Sequence, residues 1–187
     1  MIAAAVDTIV EEGYYRASSN RIAERAGVTW GVIQYHFGTR EQLLLAVAQS
    51  GAEHLISSLR DAQIHGDTVE QRLDSLADAI WSHYSTPRFL AHVQVLLNLS
   101  KDPRTSAATV ESLAAAERDV GGLLRGLVDQ VVAEHVTPEV GTAVFQILRG
   151  LAIGDILMDA LPHGRPRQHH PQTRQLLVRA LAAVVSP

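Results

Sequence analysis

Gln34, Tyr35 and His36 stand side by side in a seven-residue stretch, 30–36, that opens with Trp30 and follows Thr29. These side chains share a competence for a surface lined with hydrogen-bonding edges and anions. A glutamine amide makes two bonds to adenine, and apolar groups meet thymine methyls in the major groove. A tyrosine hydroxyl, or the N–H groups that open a helix, can hold phosphate oxygens. Solubility does not require Trp, Gln, Tyr and His on one short face. Five of the nine aromatic residues fall within residues 1–46: Tyr14, Tyr15, Trp30, Tyr35 and Phe37.

Other constellations carry less chemistry. The nine histidines include no His-x-x-x-His pair, and Glu134-His135 has no second histidine to complete a zinc motif. His163, His169 and His170 lie among Arg165, Arg167 and three prolines, and read as mild positive charge near a helix end rather than as metal ligands. There is no Gly-x-Ser-x-Gly elbow, no glycine-rich phosphate cradle and no paired-carboxylate motif. An enzyme is therefore the weaker class, and no metal or cofactor is expected. The absence of cysteine excludes disulfides, thiolate catalysis and Cys-ligated metal centres.

The elements that must position the 30–36 face are helices. No run of alternating β-branched residues occurs, while apolar residues recur at three- and four-residue steps between Gly and Pro punctuation. A first helix over 1–12 ends at Gly13. Ser18 caps a short helix to about Ala26, Gly27 closes it, and Thr29 caps a second to about His36. Ala23 and Gly27 supply the small contact residue and the permissive turn residue of a helix-turn-helix. Ile22, Val28 and Ile33 supply its apolar contacts, and Phe37 shares the buried side of Ile33. Thr39 and Gln42 read as a capping box opening a helix over 40–63. Further helices are expected over 68–85, 87–100, 105–135, 138–161 and 172–185, with Pro87 and Pro138 at helix starts. The fold class is all-α, with about nine helices.

Gly13-Tyr14, the run Ile22-Ala23-Glu24-Arg25-Ala26-Gly27-Val28-Thr29-Trp30-Gly31, Tyr35-His36-Phe37-Gly38 and Arg40-Glu41-Gln42-Leu43-Leu44 together resemble the N-terminal domain of the tetracycline-repressor (TetR) family. The likeness covers about a quarter of the chain; the remainder agrees in length and helical character. It implies a helix-turn-helix DNA-binding domain over 1–46 and a ligand-binding and dimerisation domain over 47–187. It also implies DNA contacts from Ser18, Thr29, Trp30, Gly31, Tyr35, His36 and Arg40, the last gripping phosphate where the family usually has Lys. Three positions depart from the pattern. Val32 replaces a common Thr, Arg21 a common acidic capping partner, and Gln34 a common Tyr. The last change turns a phenol contact into an amide suited to reading a base. The family usually carries basic residues ahead of its first helix. Here that helix starts at Met1 without a cap, so an upstream extension in the natural chain is expected.

The later helices suggest a pocket and an interface. Aromatic residues at helical spacing are ordinary core, but mixed with polar tips they also line ligand pockets between helices. The candidates are Trp81, Tyr84, Phe89, His92 and Asn98, and the sparse charge around them favours an apolar or aromatic small molecule. The 138–161 helix is apolar nearly all round, as a helix buried on more than one side must be. Ile147, Leu151, Gly154 and Met158, with Leu177, Leu181 and Val184 of the last helix, are candidate homodimer contacts. The alternative is that they wrap the core of one protomer.

The resulting expectation is a homodimeric, ligand-responsive transcriptional regulator. By resemblance it is a repressor, released from a palindromic double-stranded operator when an effector between the later helices shifts the helix over 40–63. The competing class is an all-α enzyme or ligand-binding protein with a degenerate helix-turn-helix. No secretory signal and no wholly apolar window of about 18 residues is evident, so no membrane partner and a cytoplasmic location are expected. Charge argues weakly against DNA. The net charge is -4, and residues 1–46 hold four arginines (Arg16, Arg21, Arg25, Arg40) against Asp7, Glu11, Glu12, Glu24 and Glu41. A head with a net charge of about -1 must rely on the placement of its few cations, with its acids turned elsewhere, and should show a shallow salt dependence.

Overall fold

The computed structural model describes residues 1–131, 137–161 and 171–185. The described residues form nine helices and no strand: α1 (Ile2–Glu12), α2 (Ser19–Arg25), α3 (Trp30–Phe37), α4 (Arg40–Asp61), α5 (Val69–Tyr84), α6 (Pro87–Lys101), α7 (Ala107–Val131), α8 (Pro138–Ala160) and α9 (Pro171–Val185). Their ends follow the punctuation. Gly27 (φ 67°) and Gly38 (φ 76°) close α2 and α3 in the left-handed region, where a Cβ costs roughly 1–2 kcal/mol. Ser18 Oγ accepts from Arg21 N–H at 3.3 Å, and Thr39 Oγ1 accepts from Gln42 N–H at 3.1 Å. The second half of the expected Thr39–Gln42 box is missing: the Thr39 N–H donates to Phe37 O at 2.9 Å, and the Gln42 side chain reaches Thr109, donating to its Oγ1 at 3.4 Å. A complete box opens α5, where Thr68 and Gln71 satisfy each other's backbone N–H groups at 3.2 and 3.1 Å.

The helices group into two compact units that do not follow chain order. The first takes residues 1–55 and 87–119. Its core joins Ala5 and Ile9 of α1, Ile22 and Ala23 of α2, Ile33 of α3, Leu43, Leu44, Val47 and Ala48 of α4, Val95 and Leu99 of α6, and Leu113 of α7. Burying each large aliphatic side chain contributes about 1.5–3 kcal/mol. In this unit α6 is tied to α1. Tyr14 N–H donates to Gln94 Oε1 at 3.2 Å, and Arg88 pairs with Asp7 at 3.5 Å.

The second unit takes residues 56–86 and 120–187. Its α5 buries Leu73, Leu76, Ala77, Ile80 and Tyr84, spaced at three- and four-residue steps on one face, against α8 and α9. Arg174 of α9 reaches Asp74 and Asp78 of α5 at 2.7 and 2.5 Å. On α8, Gly141, Val144, Leu148 and Ala152 face inward. By length and composition α8 is also the one described helix apolar enough to cross a membrane. Its inward face, however, contributes to the core of this unit.

Candidate nucleic-acid interface

Ile33 is the only fully buried side chain of α3. It docks the helix onto α2 and α1, while Val28, Trp30 and Phe37 pack partly buried against the same core. Val28 N–H donates to Ala23 O at 3.0 Å and closes the turn. This fixes the outward face. Gly31, Val32, Gln34, Tyr35 and His36 are exposed, as is Thr29 at the cap. Tyr35 is 86% exposed, its ring edge-on to His36 at 5.3 Å. Trp30 sits at the rim of the face, half-buried, and serves the core as well as the surface.

The acids of the head are not turned elsewhere. Arg21 bonds Glu12 at 2.9 Å and Glu24 at 3.0 Å. Arg25 forks onto Glu11, with one arm at 2.8 Å. The Arg25 guanidinium holds the Glu11 carboxyl below the usual carboxylate range, and Glu12 raises Arg21 above its ordinary value. Two of the four arginines are therefore neutralised within the head. Arg16 is exposed, with no ion pair among the described residues. Arg40, half-buried at the start of α4, donates to Ala17 O at 3.2 Å and lies 5.2 Å above the Tyr14 ring. Both contacts aim Arg40 while leaving its charge uncompensated. Its neighbour Glu41 ties α4 to α7. One carboxylate oxygen accepts from Thr109 Oγ1 at 2.6 Å, Ser106 Oγ at 2.7 Å and Ser106 N–H at 3.2 Å, which lowers its pKa, Thr109 having the largest effect.

Sequence reasoning did not single out Tyr15, Arg16 or Lys101. Tyr15 is 88% exposed, and it shares with Tyr14, Ser18, Arg40, Asn98 and Lys101 a groove of about 800 Å³ in the first unit. Two adjacent tyrosines ahead of a capping serine were the available signal. Lys101 is far away in sequence and gave none.

The five ligand candidates divide between the units. Trp81 and Tyr84 belong to the second, where Trp81 Nε1–H donates to Asp155 at 3.2 Å and Arg149 lies 5.7 Å above the Tyr84 ring. Phe89, His92 and Asn98 belong to the first. The Phe89 and His92 rings are 6.3 Å apart, and Asn98 donates to Gln94 O at 2.8 Å. Neither unit by itself contains all five. The second unit holds a groove of about 360 Å³ between α7 and α8. Leu124, Val128 and Phe145 supply apolar lining there, with Arg125 and Arg149. Among the interface candidates, Ile147, Leu151, Met158 and Val184 are exposed, Gly154 and Leu177 are half-buried, and Leu181 turns into the core. Among the described residues no group of three His, Asp or Glu side chains is placed to hold a metal. His163, His169 and His170 lie outside the described residues.

Residues 1–47 match the family model for bacterial regulatory proteins of the tetR family. The chain is 35% identical over 81 residues to the HTH-type transcriptional activator FasR of Mycolicibacterium smegmatis, covering 43% of this chain and 37% of that protein. It is 29% identical over 85 residues to the fatty acid metabolism regulator protein of Bacillus subtilis, covering 46% and 42%. The matched stretches thus span about two fifths of these relatives. Whole-chain likeness comes from solved structures. A transcriptional regulator from Streptomyces coelicolor A3(2) aligns at TM-score 0.65 and 26% identity, over 100% of this chain and 96% of that one. FadR from Bacillus subtilis, in complex with stearoyl-CoA, aligns at 0.65 and 18% identity over 99% and 96%.

Proposed function

From the match of residues 1–47 to the tetR-family model, we propose that this all-α chain is a TetR-family transcriptional regulator that acts as a homodimer on a palindromic double-stranded DNA operator and releases it on binding a small effector. The observation that carries the reading is the outward face of α3. Gly31, Gln34, Tyr35 and His36 are all exposed on a helix anchored from behind by Ile33. Gln34 reads a base edge, Tyr35, Thr29 and Ser18 contact backbone, and Arg40 grips a phosphate. One such helix meets only a few base pairs, so a two-fold pair reads two half-sites in successive major grooves. An effector that favours a conformer with α4 displaced would mis-space the pair.

The experiment is an unbiased selection of random duplexes on the purified full chain, followed by titration of the winner at several salt concentrations. Enrichment of a palindrome with salt-dependent affinity is expected. Failure to enrich any sequence removes the proposal and favours a ligand-binding protein that has lost its DNA site.

Repression is proposed from the resemblance alone, and a relative matched over 81 residues is named an activator. A reporter fused to the selected operator decides the sign: expression should rise when the gene is deleted, and a fall would make the protein an activator. For the effector, the groove between α7 and α8 combines apolar lining with two cations, Arg125 and Arg149, against one carboxylate, Asp129. This favours an apolar body with an anionic end over an uncharged aromatic. The ligand of the FadR structure has that chemistry. Thermal-shift titration with acyl-CoAs of graded chain length should show stabilisation that grows with the chain. Equal shifts from free CoA would rule out the apolar half of the reading.

A further inference from the structure

We infer that the C-terminal end of α6 carries a second phosphate-gripping point, Lys101, which extends the DNA contact beyond the three-helix head onto the backbone flanking each half-site. This rests on the DNA-binding reading above. Glu11, Glu12 and Glu24 neutralise Arg25 and Arg21, which leaves Arg16 and Arg40 as the uncompensated arginines among residues 1–46. Nonspecific DNA affinity comes from neutralised phosphates, and two cations per chain make a poor supply.

Lys101 makes good part of the deficit from outside the head. It is the last residue of α6, exposed and without an ion pair among the described residues. It shares the groove of about 800 Å³ with Tyr15, Ser18 and Arg40. Its position relative to them is fixed, since α6 is bound to α1 through the Arg88–Asp7 pair and the Tyr14–Gln94 bond within one compact unit. The two other charged groups of that groove offset each other. Arg104 forks onto Asp102 at 2.8 and 3.0 Å, which holds the Asp102 carboxyl down to about 2. The groove thus has Arg40 and Lys101 as the uncompensated cations of its lining, together with the 88%-exposed phenol of Tyr15. A polyanionic strand with regularly spaced phosphates fits two separated cations better than one compact anion does.

The test compares wild type with Lys101→Gln and, as a control for long-range charge, Arg118→Gln on α7, using the full chain. Affinity is measured against salt on the selected operator with flanking DNA. Lys101→Gln should flatten the slope of log K against log salt by about 0.9 per chain. It should leave base preference intact, and its effect should shrink on an operator trimmed to the half-sites. An unchanged slope, or an equal loss in Arg118→Gln, overturns the inference while leaving the DNA-binding reading in place. No wild-type binding removes both. A cation at a helix C-terminus also complements the helix dipole, so melting is followed in parallel. A stability change with an unchanged slope assigns Lys101 that role alone. Calorimetry with inorganic phosphate covers the other occupant. Phosphate binding that Lys101→Gln abolishes, with no change of slope on DNA, assigns the groove to a small anion and overturns the inference.

Discussion

Gln34 and Arg40 are proposed to meet the same duplex, but through parts of it that carry different information, and substitution separates them. Arg40→Ala should weaken binding to preferred and unrelated DNA alike and flatten the salt slope by about 0.9 per chain, because phosphates are the same at every position. Gln34→Ala should leave the slope alone and cost about 1–3 kcal/mol at a single base position. If it weakens every sequence equally in a competition assay, its base-reading role is wrong. A different residue-scale effect sits at His92, which is mostly buried, with Nδ1 unpartnered, beside Gly51 and Phe89. Burial lowers its pKa to about 4. The folded state therefore refuses a proton that the unfolded chain accepts near 6.5, so stability is intact above 6.5 and falls as pH drops from there toward 4. Between pH 6.5 and 5 the loss should approach roughly 2 kcal/mol by the linkage relation. His92→Leu should remove that portion of the slope in urea melts; parallel curves for the two proteins would refute it. At Gly51, an added Cβ would clash with His92 Nδ1 and meet the neighbouring ring carbons at 3.0 Å. Gly51→Ala should therefore destabilise by about 1–3 kcal/mol, although alanine elsewhere in a helix normally helps.

The presentation of α3 depends on very little. One fully buried side chain, Ile33, seats a helix of eight residues, so Ile33→Ala should cost about 2–5 kcal/mol and Ile33→Val only about 0.5–1.5. Ile33→Ala should also weaken operator binding at temperatures where the protein remains folded, although Ile33 touches no DNA. Undiminished affinity in a folded Ile33→Ala protein would show that α3 is held by other contacts. This element was legible in the sequence because its signals are local: a cap at Ser18, a left-handed glycine at Gly27, and buried Ile22 and Ile33 at helical spacing. The α5 stripe was legible for the same reason, each of its five residues being buried as the period requires. What the sequence hid is what depends on distant partners. Nothing near Gln42 announces that its amide will leave the capping box for Thr109, 67 residues later. Nothing near Arg25 announces Glu11, 14 residues earlier. Period also fails where a helix is apolar on several faces. Leu181 and Val184 read alike in sequence, yet one is buried and the other 69% exposed. The outward exposure of Gln34, Tyr35 and His36 on α3 was legible in the same way, while the groove that Tyr15 shares with Lys101 needed the fold that brings α6 beside α1.

At the scale of the molecule the exposed apolar surface is the feature that needs a partner. Ile147, Leu151, Leu157 and Met158 lie on one side of α8, beside the inward face that holds the core, exposed Leu161 follows its C-terminal end, and Leu176 and Val184 of α9 are 66% and 69% exposed. Gly150 and Gly154 lie within that α8 strip with open space where a Cβ would be, which permits close helix approach. Surfaces of this kind mark interaction sites. In the homodimer proposed above, a second copy of the chain would cover both helices at once and would supply a second recognition helix. On that proposal dimerisation would set the affinity, since joining two sites raises overall binding by roughly 10²–10⁴-fold without new contacts. Leu151→Lys places a charge in the centre of the strip while leaving α1–α3 untouched. It should sediment as a monomer, bind a single half-site as wild type does, and lose roughly 10²–10⁴-fold in affinity for the full palindrome. A Leu151→Lys protein that remains dimeric moves the interface elsewhere. A wild-type protein that is monomeric in buffer but binds lipid vesicles through α8 would assign the strip to a membrane instead.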